Sequence, residues 1–300
     1  MKPREIIATA WAVTKKESGM RRWSFTSAFF ETLLNLKLLI YQAYFIYEYA
    51  HGGQAGFFDI EIMLYRSVSF GLFLSIIIFF ILLVATELII PHLCTGAIIG
   101  LAAKSHLREK VEGGAVLGLY NFFSIFTIHE SLLLAGLSTC ATVTSLILRY
   151  VDGDLKWWSI TVLWILFICS NILRFLISFA NQAVVIQKAN VFEAIGKSLK
   201  LIISNLSHVM FLMLLLIVIS LRIILNVAIV IVIPGIVVGL GILLTYILSR
   251  TISYSIAGIV GIALTVVASY FLAYLHAFKH TVWTITYIEL SKKKDMDVIL

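Results

Sequence analysis

The chain has 300 residues, 61% of them hydrophobic and 13% charged, with 23 Lys/Arg against 16 Asp/Glu. Soluble domains carry about 25% charged residues, so a mean hydropathy of +1.01 excludes a water-soluble fold. The net charge of +7 comes with no basic-aromatic surface outside the apolar stretches, so no nucleic-acid partner is expected.

The first 24 residues are charged throughout and lack an apolar core before a small-residue cleavage site, so they are not read as a signal peptide. Within them, residues 5–16 place Ile6, Ile7, Ala10 and Trp11 on one side of a helix, closed by Lys15 and Lys16. Apolar stretches long enough to cross a hydrocarbon core of about 30 Å follow near 27–49, 66–90, 129–149, 157–180, 206–232 and 255–276. Polar or broken linkers at 51–61, 151–156 and 233–254 join them in pairs. The last linker holds a short apolar run, 236–248, which Pro234 and Gly235 introduce as a re-entrant or interfacial piece, with a seventh span as the alternative.

A second amphipathic stretch, 112–130, precedes the third span, and a third begins at Asn190. Asn190 is a good N-cap with Glu193 three residues on, as in a capping box. Phe192, Ile195, Leu199, Ile202 and Leu206 keep helical spacing, with Lys197 and Lys200 opposite. Such a helix lies in the headgroup plane of a membrane, its lysines near anionic phosphates. Each return span also overhangs the bilayer, at 93–104, 179–188 and 278–294. The chain therefore reads as a single all-α polytopic domain, 1–300, of six spans in three hairpin units: 4–110, 111–189 and 190–294. Sixteen Lys/Arg fall on the amphipathic helices and overhangs and four at the opposite linkers. The positive-inside rule then puts both termini in the cytoplasm of a cell, or inner, membrane.

The stretches IIATAWAVTKKESGMRRWSF (6–25) and NVFEAIGKSLKLIISNLSHVMFLMLLL (190–216) resemble a broad bacterial group of six-helix membrane proteins. That group includes the membrane domain attached to some glycerophosphodiester phosphodiesterases. The resemblance rests on hydropathy and a Glu-Ala pair, here Glu193-Ala194, and it implies the six-helix fold. No phosphodiesterase domain is expected after the basic SKKK of 291–294, so catalysis is not carried over.

Ionisable residues within spans are candidates for function by default: Glu31, Lys37, Glu87, His92, Glu130, Arg174 and Arg222. Aligning 96–99 with 182–185 sets Glu87 nearly level with Arg174, and a charged pair between them is expected. Such a pair either fixes the packing of two hairpins or lines a polar path. His129 and His208 could ligate a metal with Glu130, but both stand where an amphipathic helix turns into a span, and neither a metal nor a cofactor is expected. Cys94, Cys140 and Cys169 lie in apolar segments without paired spacing and read as packed thiols. No nucleophile elbow, carboxylate pair or phosphate loop is present. The glycines of GAIIG (96–100) suit close helix packing, whereas those of GIVVG (235–239) suit the broken linker. The expected role is a non-enzymatic scaffold or accessory subunit that meets anionic lipids, and membrane-protein partners or further copies of itself, through a basic cytoplasmic face. The alternative is a small transporter or channel with a path near Glu87, Arg174 and Arg222.

Overall fold

A computed structural model describes residues 1–51, 56 and 58–292. Within it, backbone alone is described at 36, 39–40, 43, 46, 49–50, 60, 220–231, 233–234, 238, 250–251 and 254. Every regular element among the described residues is helical. In chain order they are α1 (Pro3–Lys16), α2 (Ser18–Ala50), α3 (Asp59–Ser67), α4 (Phe70–His106), α5 (Gly114–Glu130), a 3-10 turn (Leu133–Ala135), α6 (Leu137–Tyr150), α7 (Asp154–Leu176), α8 (Ala180–Gln187), α9 (Val191–Ser204), α10 (Leu206–Leu244) and α11 (Arg250–Lys292).

Among the described residues, three helical stretches are long and apolar enough to cross a membrane: 70–106, 154–187 and 255–292. A fourth is the pair α9 and α10, bent by 95° at Asn205. Among the described residues the protein is therefore α-helical, with three membrane-crossing candidates, or four if the bent pair is one span. The expected span at 129–149 is interrupted. Helix α5 stops at Glu130, the 3-10 turn intervenes, and α6 has 14 residues, about 21 Å at 1.5 Å per residue. The expected break at Pro234 is absent, because α10 runs through it to Leu244. Proline's fixed φ is compatible with a helix, and in an apolar setting the rest of the hydrogen-bond ladder holds the backbone helical.

The chain divides into two compact units. One comprises residues 33–89 and 132–174 and includes parts of α2 and α4 together with α3, the 3-10 turn, α6 and most of α7. Its helices expose apolar side chains: Phe79, Ile81 and Leu82 on α4 and Trp157, Trp158 and Ile168 on α7 are all more than half exposed. Only 6% of the most apolar window of α4 is buried. An apolar surface of that extent is stable in lipid, not in water.

The other unit comprises residues 1–32, 90–131 and 175–300. Here the same helix α4 changes its surroundings, and every residue from Cys94 to Ala103 is buried. A helix buried on all sides is the core of a protein, and Met20, Cys94, Ile98, Leu101, Ala102 and Ala277 form that core. The overhang of α11 is buried likewise from Thr281 to Ile288. The amphipathic helices pack around these overhangs. Helix α1 turns Ile6, Ala10 and Thr14 inward and packs on α11. Helix α5 packs on α8, and α9 turns Ala194, Ser198, Leu201 and Ile202 inward, also against α8. Between α7 and α8 the helical ladder breaks, and Ser198 repairs it from α9. Its hydroxyl donates to the Leu176 carbonyl (3.0 Å) and accepts from the Phe179 amide (3.1 Å).

Helices α4 and α5 approach each other closely and run antiparallel, with Leu93 beside Gly118 and Leu101 beside Gly114. A Cβ on Gly118 would stand 2.5 Å from the Leu93 carbonyl oxygen, and one on Gly96 would stand 3.2 Å from the Gly118 Cα. The glycines of GAIIG thus serve close packing, whereas Gly235 and Gly239 have nothing within 4 Å of a Cβ. Gly118→Ala should lower the melting temperature in detergent, with a cost of about 1–3 kcal/mol for overpacking against backbone. Gly196→Ala, on α9 with open space around it, should be neutral or stabilising by up to about 1 kcal/mol. Equal melting temperatures for the two variants would show that the α4–α5 contact is not made.

Candidate functional site

Glu87 lies on α4 within an apolar run, and its side chain is fully buried. Its ion-pair partner is Lys37 of α2, whose Nζ also sits 5.1 Å from the centre of the Phe80 ring. The expected partner, Arg174, is exposed on α7 and makes no ion pair among the described residues. Lys37 wins because α2 and α4 belong to one hairpin. Lys37 stands 13 residues before the end of α2 and Glu87 stands 17 after the start of α4, about 20 and 26 Å from the turn. The helix ends that set these depths come from the structure, and the repeat alignment in the sequence favoured Arg174. The Oε1 of Glu87 is buried without a hydrogen-bond partner among the described residues, so the carboxylate is only half satisfied. An unshared lone pair in an apolar interior is costly. The side chain of Arg222 lies outside the described residues.

In the other unit, Glu31 accepts a hydrogen bond from the Ser27 hydroxyl at 3.0 Å, and Ser27 Oγ is 3.4 Å from His276 Nε2. Glu130 stands beside His129 and beside His92 of α4, with its Oε1 3.3 Å from His129 Nδ1 and 3.7 Å from His92 Nε2. Of the two histidines weighed as ligands with Glu130, His129 stands beside it, and His92 of α4 joins them. His208 begins α10, and His92 takes that place because the antiparallel α4–α5 contact carries it to the end of α5. His92 was visible in the sequence as an intramembrane residue, but its neighbours depend on a crossing that only small residues at 96 and 118 permit.

The basic candidates are on the outside. Lys15 and Lys16 end α1 exposed, and Lys200 is exposed on α9. Lys197 pairs with Glu193 at 2.7 Å across one helical turn, and Asn190 caps the same helix by accepting the Glu193 amide at 3.0 Å. Lys197 holds the Glu193 carboxyl below its usual range. The expected apolar stripe of α9 divides: Ile202 turns inward while Phe192 is 87% exposed, and Ile203, outside that stripe, is 68% exposed. Sequence reading missed a groove of about 390 Å³ lined by Arg21, Arg22, Phe25, Thr26, Tyr270 and Tyr274. Arg21 donates to the Tyr274 hydroxyl at 2.8 Å, and its Nε is buried without a partner among the described residues. The pairing of Arg21 with α11, roughly 250 positions away, left no local signal in the sequence. The cysteines are free, Cys94 and Cys140 buried and Cys169 exposed.

Family models, curated proteins and solved structures provide no match to this chain.

Lys37→Met and Glu87→Gln each remove one member of the pair and should each cost about 3–5 kcal/mol, because the remaining group is stranded in low dielectric. The double variant should regain most of that loss, and Arg174→Met should change little. Thermal unfolding in detergent reads all four, and a double variant as unstable as the sum of its singles would refute the pairing.

Proposed function

We propose that this is a non-enzymatic membrane protein of six spans in three hairpins, a scaffold or accessory subunit held against anionic lipid by a basic face. Kinship with the six-helix bacterial membrane group is part of the same proposal. The observation that carries it is the 95° bend between α9 and α10. If the apolar start of α10 crosses the bilayer, α9 must lie along its surface. Phe192 and Ile203 are then free to enter the acyl region while Lys200 meets phosphates. The groove at Arg21 and Arg22 supports the same reading, since two guanidinium groups beside tyrosine hydroxyls suit an anionic headgroup.

In this reading both termini and the basic helices are cytoplasmic. In a cysteine-free background, a cysteine at Lys16 should be labelled from the cytoplasmic side and one at Gly153 from the outside; the reverse pattern would overturn the topology.

Lipid preference tests the basic face. Native mass spectrometry of the detergent-purified protein should show retained phosphatidylglycerol in preference to phosphatidylcholine. Arg21→Gln/Arg22→Gln and Lys197→Gln/Lys200→Gln should each weaken that preference, at about 1 kcal/mol per charge removed. Indifference of the parent protein to headgroup charge would remove the basis of the proposal.

A transport reading draws on one observation, the half-satisfied carboxylate of Glu87 beside Lys37 in an apolar setting. Under that reading, proteoliposomes would carry an ion flux that Glu87→Gln abolishes. The scaffold reading expects no flux.

A further inference from the structure

His92, His129 and Glu130 bring three ligand atoms within 4.8 Å of one another. Their arrangement is not one that a helix supplies by default. Consecutive residues such as His129 and Glu130 diverge around a helix axis and do not face each other. Here both side chains come together at the end of α5, and their common neighbour is His92 of α4. The His92 and His129 rings stand edge to face with centroids 4.6 Å apart.

All three ligand atoms lie within 4.8 Å of one another, and the His129–Glu130 separation is that of two ligands on one metal. Two ligands about 2.0–2.1 Å from Zn²⁺ at tetrahedral angles lie about 3.3–3.4 Å apart. Glu130 Oε1 is 3.3 Å from His129 Nδ1 and 3.7 Å from His92 Nε2, so small side-chain rotations close the set. A further feature favours a cation. The cluster sits at the C-terminal end of α5, the negative end of the helix dipole. On the α4 side, Leu93, next to His92, also lies close against the Gly118 backbone.

We propose that His92, His129 and Glu130 form a site for a divalent first-row transition ion of the Zn²⁺ class. Two imidazoles and one carboxylate are borderline-to-hard ligands, which suit Zn²⁺, Co²⁺ or Ni²⁺ better than Ca²⁺ or Mg²⁺. The burial is graded: His92 is 8% exposed at the side chain, Glu130 28% and His129 54%. The open side at His129 leaves a fourth position to water or an exchangeable ligand, as in sites that bind reversibly and unlike closed structural ones. The site shares no residue with the Lys37–Glu87 pair or with the basic face, and it stands whether or not the scaffold reading does.

The test uses the full chain, purified in mild detergent, freed of any affinity tag and stripped with a chelator. Calorimetric titration with Zn²⁺ should give one site with Kd near 1 µM or tighter, about 8 kcal/mol of binding free energy, and Zn²⁺ should raise the melting temperature. Co²⁺ in place of Zn²⁺ should give the visible d–d bands of a four-coordinate N/O site. Glu130→Gln, His92→Ala and His129→Asn should each weaken Zn²⁺ by about 10–100-fold or more, at least what loss of an outer-shell partner costs. His129 is exposed, so His129→Asn should fold even if a change at buried His92 does not. A parent protein that takes up none of the three ions at one per chain overturns the proposal. So does a folded His129→Asn variant with unchanged Zn²⁺ affinity and an unchanged Co²⁺ spectrum.

Discussion

The backbone contact between α4 and α5 at Leu93 and Gly118 is the constraint on which the packing of residues 90–131 depends. A side chain at 118 would hold the two helices apart, and α5 could not then lie along the end of α4. That closeness lets the stretch from Cys94 to Ala103 be buried on every side. It also brings His92 to the end of α5. Helix pairs surrounded by lipid gain little from the hydrophobic effect and rely on such close approach between small residues. Here the pattern serves a stretch that lies inside protein, where dispersion contacts between closely packed atoms accumulate in the same way.

Helix α4 has two solvents along its 37 residues. From Phe70 to near Ile89 most of its side chains face outward and apolar, and from Cys94 they face a protein core. Ser198 belongs to the same logic at the break between α7 and α8. An amide and a carbonyl that leave the helical ladder need new partners when they are buried, and one hydroxyl on α9 supplies both.

The Lys37–Glu87 pair contrasts with this economy. Burying a carboxylate costs several kcal/mol, which an ion pair offsets only when geometry and hydrogen bonding are complete. Glu87 has one oxygen on Lys37 and one without a partner among the described residues. Its contribution is better described as fixing how α2 and α4 pair than as net stabilisation. An apolar pair of helices without it could slide by one turn at little cost, whereas sliding with it would separate the charges.

The sequence by itself determined what depends on composition and near neighbours. Mean hydropathy fixed lipid as the solvent, since no soluble fold could tolerate so few charges. Helical spacing and the Asn190 cap determined α9, and its start agrees with the cap to the residue. The small-residue spacing of 96–100 marked a packing face. Tertiary structure decided what depends on residues far apart in the chain. It gave Glu87 to Lys37 over Arg174, joined His92 to His129 and Glu130, and set Arg21 against Tyr274. It also interrupted the expected third span at the 3-10 turn. The physical reason is common to all of these. Periodicity says which face of a helix is buried, but not which of several apolar faces it meets, because lipid-facing and protein-facing sides are written in the same residues.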